Sequence, residues 1–300
     1  MSRWTEADIP DQTGRTVLVT GANSGLGLRT AQVLAARGAH VIMGCRSVQR
    51  GEQARRTVTG SAEVLELDLA DLGSVRAAAD KVTEKVDQLD VLINNAGIMA
   101  VPLGQTVDGF ERQFGTNHLG HAALTWLLLP ALRQRPGARV VTVASLAHQY
   151  GRIDFDDPNW ERRSYSYRGS YGQSKLANIL FARELDRRSS DVTSIAAHPG
   201  VTVTELTNNM ASEHKSLFLR IGGKISHLFS QSVEMGALPQ LYAATSPDAR
   251  GGEYYGPDSF NGYRGHPAVA RMTAAARDDL AASRLWDLTI KMTGITPDLP

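Results

Sequence analysis

The sequence predicts an α/β fold: a doubly wound parallel sheet in three layers, α/β/α, built as one domain over 1–300. Three observations carry this. Short β-branched or aliphatic runs alternate with longer segments whose apolar residues recur at helical spacing. The runs are continuous rather than alternating, as strands covered by helices on both faces must be. The first run, TVLVT, passes through glycines directly into a helical pattern, GANSGLGLRTAQVLAARG, the strand–turn–helix junction that suits a bound phosphate.

Strands are expected at 16–20, 40–45, 63–67, 91–94, 139–143 and 193–197, and helices near 26–37, 74–86, 109–133 and 170–188. Asp71 and Ser74 are suited to start a helix, and Gly38 to stop one. GGEYYG adds a last strand and 267–286 a final helix. The stretch 202–231 breaks the alternation; with LFLRIGGKISHLF inside it, it is either a lid over the site or a surface excursion packed on the core. The sequence has no internal repeat or low-complexity run.

Hydrophobic residues make up 42% of the 300 and charged residues 21%, enough apolar content for a sizeable core. The balance of 32 basic against 31 acidic residues gives no net attraction for a polyanion, so nucleic acid is not an expected partner. The one cysteine, Cys45, cannot form an internal disulfide or a multi-cysteine zinc site, and within HVIMGC it is expected in a buried strand. The N-terminal residues lack the apolar core of a signal peptide. The longest apolar stretch, 122–132, is about 11 residues, too short for a bilayer of roughly 30 Å. A soluble, cytoplasmic chain without a transmembrane segment is the expectation.

Gly21, Gly25 and Gly27 stand where the backbone must turn tightly and approach a ligand, so that the helix N-terminus faces a pyrophosphate. The loop is two residues wider than G-x-G-x-x-G. After the second strand, where an acidic residue would hold ribose hydroxyls, stand Cys45, Arg46 and Ser47. A guanidinium there binds a 2′-phosphate that a carboxylate would repel, which favours NADP(H) over NAD(H); the alternative is a solvated surface arginine. Asp68 either accepts from an adenine amino group or closes a turn. Small residues at Asn95, Ala96 and Gly97 let the backbone lie against a cofactor, and the asparagine amides could tie neighbouring strands.

YGQSK places Tyr171 and Lys175 one turn apart on one helix face. A nearby ammonium stabilises phenolate and is expected to lower the tyrosine pKa from about 10. RVVTVAS delivers Ser145 to the C-terminal edge of the sheet, where its hydroxyl stabilises developing negative charge or only caps a turn. Asn117 is a poor helix former inside an apolar helix, which signals a kink or a water contact. His118 and His121 read as packing or surface residues rather than metal ligands, since no third ligand is spaced to join them.

TGANSGLG, NNAG, Asn117, Ser145, Tyr171-x-x-x-Lys175 and His198-Pro199-Gly200, in this order, resemble the short-chain dehydrogenase/reductase family over roughly residues 14–256. CRS, YGQSKLAN and HPG are most similar to its branch of retinol dehydrogenases and related carbonyl reductases, with protochlorophyllide reductases as neighbours. The resemblance implies a Rossmann fold and an NADP(H)-dependent oxidoreductase moving a hydride between nicotinamide and a carbonyl or alcohol. Tyr171 would be the acid/base, Lys175 its tuner and a ribose ligand, Ser145 the carbonyl-oxygen partner, and Asn117 the holder of a relay water. Cofactor contacts are implied from Gly21, Asn23, Ser24, Gly25, Leu26, Gly27, Arg46, Asp68, Leu69, Asn95, Ala96, Gly97, Tyr171, Lys175, Pro199, Val201 and Thr204, with no metal. The resemblance implies a small-molecule carbonyl or alcohol substrate and a second copy in a dimer or tetramer as partners; the leucine, isoleucine and phenylalanine of the expected lid suit a bulky or apolar substrate or belong to the core. Two other readings stand beside this: an NADPH sensor without turnover, which would not need Ser145, Tyr171 and Lys175 together, and a nucleotide-sugar epimerase or dehydratase, which usually has a differently spaced glycine loop.

Overall fold

A computed structural model describes residues 3–202 and 231–299. Its chain runs β1 (Thr16–Thr20), α1 (Gly25–Ala36), β2 (His40–Cys45), α2 (Val48–Arg55), β3 (Ser61–Glu66), α3 (Leu72–Lys85), β4 (Val91–Asn94), α4 (Arg112–Phe114), α5 (Gly120–Arg133) and β5 (Ala138–Val143). It continues through α6 (Tyr167–Arg188), β6 (Val192–Ala197), α7 (Val233–Thr245), β7 (Tyr254–Ser259), β8 (Arg264–Val269) and α8 (Asp279–Thr293). The strands form one sheet in the order β3-β2-β1-β4-β5-β6-β7-β8, parallel except for β8, which pairs antiparallel with β7. The strand order reverses at β1, which pairs with both β2 and β4, and the crevice at their carboxyl ends is where such sheets take ligands.

Continuous apolar strands follow from two covers. Along β1, Val17 and Val19 point into the cluster under α1 and α7, while Leu18 points into the one under α3, α5 and α6. From Val17 to Thr20 every position is therefore buried. Asp71 starts α3 as expected, its carboxylate accepting from the Gly73 and Ser74 amides at 2.8 and 3.2 Å. Gly38 leaves α1 with φ of 98°. Cys45 is buried.

Two expectations are corrected. The helix expected over 109–133 begins only at α4: Gly109 lies in a turn with φ of 83°, and the Glu111 carboxylate caps the amides of Gln113 and Phe114. Between α4 and α5 the chain makes a π turn, Gly115–Leu119, carrying Asn117 at the site of the anticipated kink. The final helix expected at 267–286 is displaced: 264–269 is β8, held by cross-strand pairing to β7, and the helix starts after the Asp278 cap and ends at left-handed Gly294. Helices α2 and α7 were not anticipated. Of the expected lid, only Thr202 and Gln231 fall among the described residues, where they form a parallel bridge. Among the described residues no helix is long and apolar enough to cross a membrane.

Candidate active site

The turn from β1 into α1 is shaped by close backbone approach. A Cβ on Gly27 would collide with the Gly21 carbonyl and the Asn95 amide, and one on Gly21, where φ is 66°, would press on Ala96. Only glycine fits where helix and strand lie this near. Gly25 is also left-handed, with φ of 53°. Ser24, the N-cap residue of α1, makes no side-chain cap bond, so it does not occupy the first-turn amides that an anion would use. Asn23, Ser24 and Leu26 are half-buried around this turn, with Leu26 leaning on Gly236 of α7.

Arg46 is exposed at the end of β2. Asp68 closes a turn, accepting from the Ala70 amide at 3.0 Å while its own amide donates to Ser74. The Leu69 side chain is buried in the core, leaving its backbone against Gly120. The asparagines at the end of β4 do tie strands: Asn95 Nδ2 donates to the Thr20 carbonyl of β1 at 2.7 Å, and Asn94 Nδ2 donates to Thr142 Oγ1 of β5 at 3.4 Å and to Thr125 Oγ1 of α5 at 2.9 Å. The Asn95 and Ala96 amides both donate to Thr20 Oγ1 at 2.9 Å. Gly97 comes next, and a Cβ there would lie 3.2 Å from Asn117 Oδ1 and 3.5 Å from Lys175 Nζ. Asn117, Lys175 and the 95–97 backbone thus converge.

Asn117 is fully committed. Its Oδ1 accepts from the Ile98 amide at 2.8 Å, and its Nδ2 donates to the Ile98 carbonyl at 2.9 Å and to Ser174 Oγ at 3.0 Å. Its side chain therefore holds protein, and the backbone of the π turn is the part left to face a water. Ser145 follows β5 at the sheet edge and also caps the short 3-10 helix Leu146–Tyr150, accepting from the Ala147 amide at 3.2 Å. Both roles read from the sequence are open to one hydroxyl.

Tyr171 is buried near the start of α6, and burial pushes its phenol up to about 12, against the opposing effect of the Ser145 hydroxyl. The expected lowering by Lys175 is thus corrected, and the reason is geometric. Lys175 Nζ lies 5.7 Å from the Tyr171 ring centre and donates to the Val143 carbonyl at 3.0 Å, and burial pulls the amine itself down to about 8. Desolvation is the leading cause in both groups.

Pro199 and Val201 leave β6 toward the same edge. The Pro199 carbonyl accepts from Thr202 and Gln231, and the Val201 amide donates to Tyr263. Thr204 lies outside the described residues. His118 and His121 are both buried rather than at the surface. Several side chains on which the site depends were given no role by the sequence reading. Ser174 holds both Asn117 and the Tyr171 carbonyl, Asn178 shares the Val143 carbonyl with Lys175, and His148 Nδ1 lies 2.8 Å from the Ser145 carbonyl. Ser174 and Asn178 follow Tyr171 by three and seven, a helical spacing that could have marked them.

The family model described as short chain dehydrogenase matches residues 15–215. Human retinol dehydrogenase 13 is 40% identical over 299 residues, covering 97% of this chain and 87% of the relative. Human retinol dehydrogenase 14 is 42% identical over 305 residues, covering 94% and 87%. A crystal structure of an uncharacterized protein from Mycobacterium Paratuberculosis superposes with a TM-score of 0.83 at 47% identity, covering 100% of both chains. The matched span contains the glycine turn, Asn117, Ser145, Tyr171 and Lys175 that the fold brings to one edge of the sheet. The chain belongs to the short chain dehydrogenase family, in its retinol dehydrogenase-like branch.

Proposed function

We propose that the protein is an NADP(H)-dependent oxidoreductase that interconverts a carbonyl and an alcohol, with Tyr171 as acid and base. The observation that carries this is the convergence of Ser145, Tyr171 and Lys175 at the sheet edge beside the glycine turn of α1. The chain suits the cofactor: Gly21 and Gly27 leave no room for a side chain where the backbone must approach a pyrophosphate, and Ser24 leaves the α1 amides to an anion. Gly21, Asn23, Ser24, Gly25, Leu26 and Gly27 would hold the pyrophosphate end, Arg46 the 2′-phosphate, and Asp68, Leu69, Asn95, Ala96 and Gly97 the adenosine. Lys175 would hold the nicotinamide ribose, with Pro199, Val201 and Thr204 at the nicotinamide. Bound there, the cofactor supplies or receives the hydride.

The protein's residues supply position and proton. The Ser145 hydroxyl donates to the substrate oxygen and stabilises charge developing on it. In reduction the Tyr171 hydroxyl gives that oxygen a proton; in oxidation the phenolate takes one. Protonated Lys175 favours the phenolate form during transfer. The substrate class we carry over is a bulky, apolar alcohol or aldehyde, in keeping with relatives named for retinol.

The test is NADPH consumption with a panel of apolar aldehydes, retinal among them. Tyr171→Phe is expected to lose a factor of roughly 10² to 10⁴ in kcat while NADPH affinity, read by fluorescence titration, holds. Turnover at the wild-type rate in this variant would end the assignment of Tyr171. Arg46→Asp tests the cofactor: it should weaken NADPH binding by about one to two powers of ten and raise the relative kcat/KM with NADH. If the wild type prefers NADH, Arg46 does not read the phosphate.

A further inference from the structure

His121 is buried at the first turn of α5, four residues after Asn117. Its Nδ1 lies 2.9 Å from the Asn117 carbonyl oxygen and its Nε2 lies 2.9 Å from Thr20 Oγ1. A carbonyl only accepts, so Nδ1 must carry the ring proton. Nε2 is then the acceptor, and the Thr20 hydroxyl donates to it.

The opposite tautomer fails on the other side as well. Thr20 Oγ1 already accepts from the Asn95 and Ala96 amides at 2.9 Å each, which fills both lone pairs. It has only its proton to offer, and His121 Nε2 is nearer than the one competing acceptor, the Ile93 carbonyl at 3.4 Å. A second ring proton would therefore meet an oxygen with no lone pair left. Burial also pushes the imidazole down to about 4, the Asn117 carbonyl opposing and the Lys175 charge assisting.

One ring thus joins two parts of the site that belong to different elements. On one side is the backbone of the π turn, whose Asn117 side chain grips both ends of Ile98. On the other is the hydroxyl that gathers the amides of the 95–96 segment. We propose that His121 is a positioning residue whose Nδ1–H tautomer holds the Asn117 turn and the cofactor-lining Asn95–Ala96 backbone in register. The two bonds have separate consequences: the Nδ1 bond acts on proton delivery through Asn117, and the Nε2 bond acts on cofactor affinity through Thr20. This division rests on the oxidoreductase reading, with Asn117 holding the relay water that the family resemblance implies and the 95–97 segment lining the adenosine.

Asparagine and glutamine separate the two bonds, since an Asn amide nitrogen falls near the imidazole Nδ1 position and a Gln amide falls near Nε2. His121→Asn should keep kcat close to wild type and weaken NADPH binding roughly tenfold, the loss of one hydrogen bond. His121→Gln should keep NADPH affinity and lower kcat by a similar factor. Variants that alter both constants alike, or neither, would show a ring that only packs. Independently of turnover, histidine-labelled full-length protein should give, among the signals of its eight imidazoles, one that is absent in His121→Asn and has the shifts of an Nδ1–H ring with no titration between about pH 5 and 9. An Nε2–H ring, or a titration in that range, overturns the proposal. If no substrate is turned over, the tautomer and the NADPH affinities still decide it, so failure of the oxidoreductase reading is distinguishable.

Discussion

At Tyr171, burial raises the phenol to about 12, so the group carries its proton at neutral pH and stands ready as a donor. Lys175, lowered to about 8 by the same burial, is an ammonium at neutral pH and loses that charge a little above it. The two titrations predict opposite profiles for the two directions of reaction. Carbonyl reduction needs the phenol and gains from the ammonium, so its kcat/KM should hold level from about pH 6 and fall as Lys175 deprotonates. Alcohol oxidation needs phenolate, a rarer form whose population grows with pH, so its kcat/KM should rise across the same range. Steady-state rates in both directions at saturating cofactor measure this, with chemistry confirmed as rate-limiting by a hydride isotope effect. Reduction that keeps rising past pH 9, where Lys175 is neutral, would remove Lys175 charge from the mechanism. Helical spacing was enough to put Tyr171 and Lys175 on one face, but it could not show that desolvation would dominate both groups, because that depends on what covers them.

The elements that were legible in the sequence are those whose partners are local or generic. β1, β2 and β4 stand where their apolar runs stand, because a strand covered on both faces needs every position apolar. Asp71 and Gly38 bracket helices by chemistry contained within a few residues. The missed elements answer to distant partners. β8 reads as the start of a helix until Val269 is seen opposite Tyr255 and Pro267 opposite Pro257, and as the outermost strand it tolerates a proline that lacks an amide hydrogen. α2, VQRGEQAR, has almost no apolar face and is marked chiefly by its Ser47 cap. The π turn at Asn117 inserts into a helical pattern without disturbing its apolar spacing enough to be seen, although asparagine there signalled a break. The site divides in the same way. Ser145, Tyr171 and Lys175 were visible through motif order; Thr20 and Ser174 lie inside the same motifs, but their work, like that of His121, is done through bonds to other parts of the chain, several of them to backbone atoms that no residue pattern identifies.

Across the molecule four histidines are buried, His148 beside Ser145 and three others that sit in separate joints between elements. His118 joins the π turn to α8, with Nε2 3.0 Å from Thr289 Oγ1 and its ring against Phe114 and Phe181. His121 joins α5 to β1, and His198 lies after β6 with its ring 4.9 Å from that of Tyr254 on β7. Burial lowers all three from 6.5, His118 and His198 to about 3 and His121 to about 4. The folded state therefore refuses protons that the unfolded chain takes up as pH falls below 6.5, and stability present above that pH is lost on the way down to the folded values. Each such group contributes a slope of about 1.4 kcal/mol per pH unit, so three acting together give roughly 4 kcal/mol per unit once the unfolded imidazoles are charged. The paired carboxylates, of which buried Glu184 with Arg187 and Arg188 is the clearest, are also held below their ordinary value, but they lose stability only at lower pH. Acid unfolding should accordingly begin in the histidine range, before carboxylates titrate. Urea unfolding free energies measured between pH 7 and about 4.5 should show this steep fall, and His118→Phe should make it shallower by about one third. A free energy that stays level from pH 6.5 to 5 would mean that these rings are protonated in the folded protein, and the hydrogen bonds that fix the His121 tautomer would have to be drawn differently.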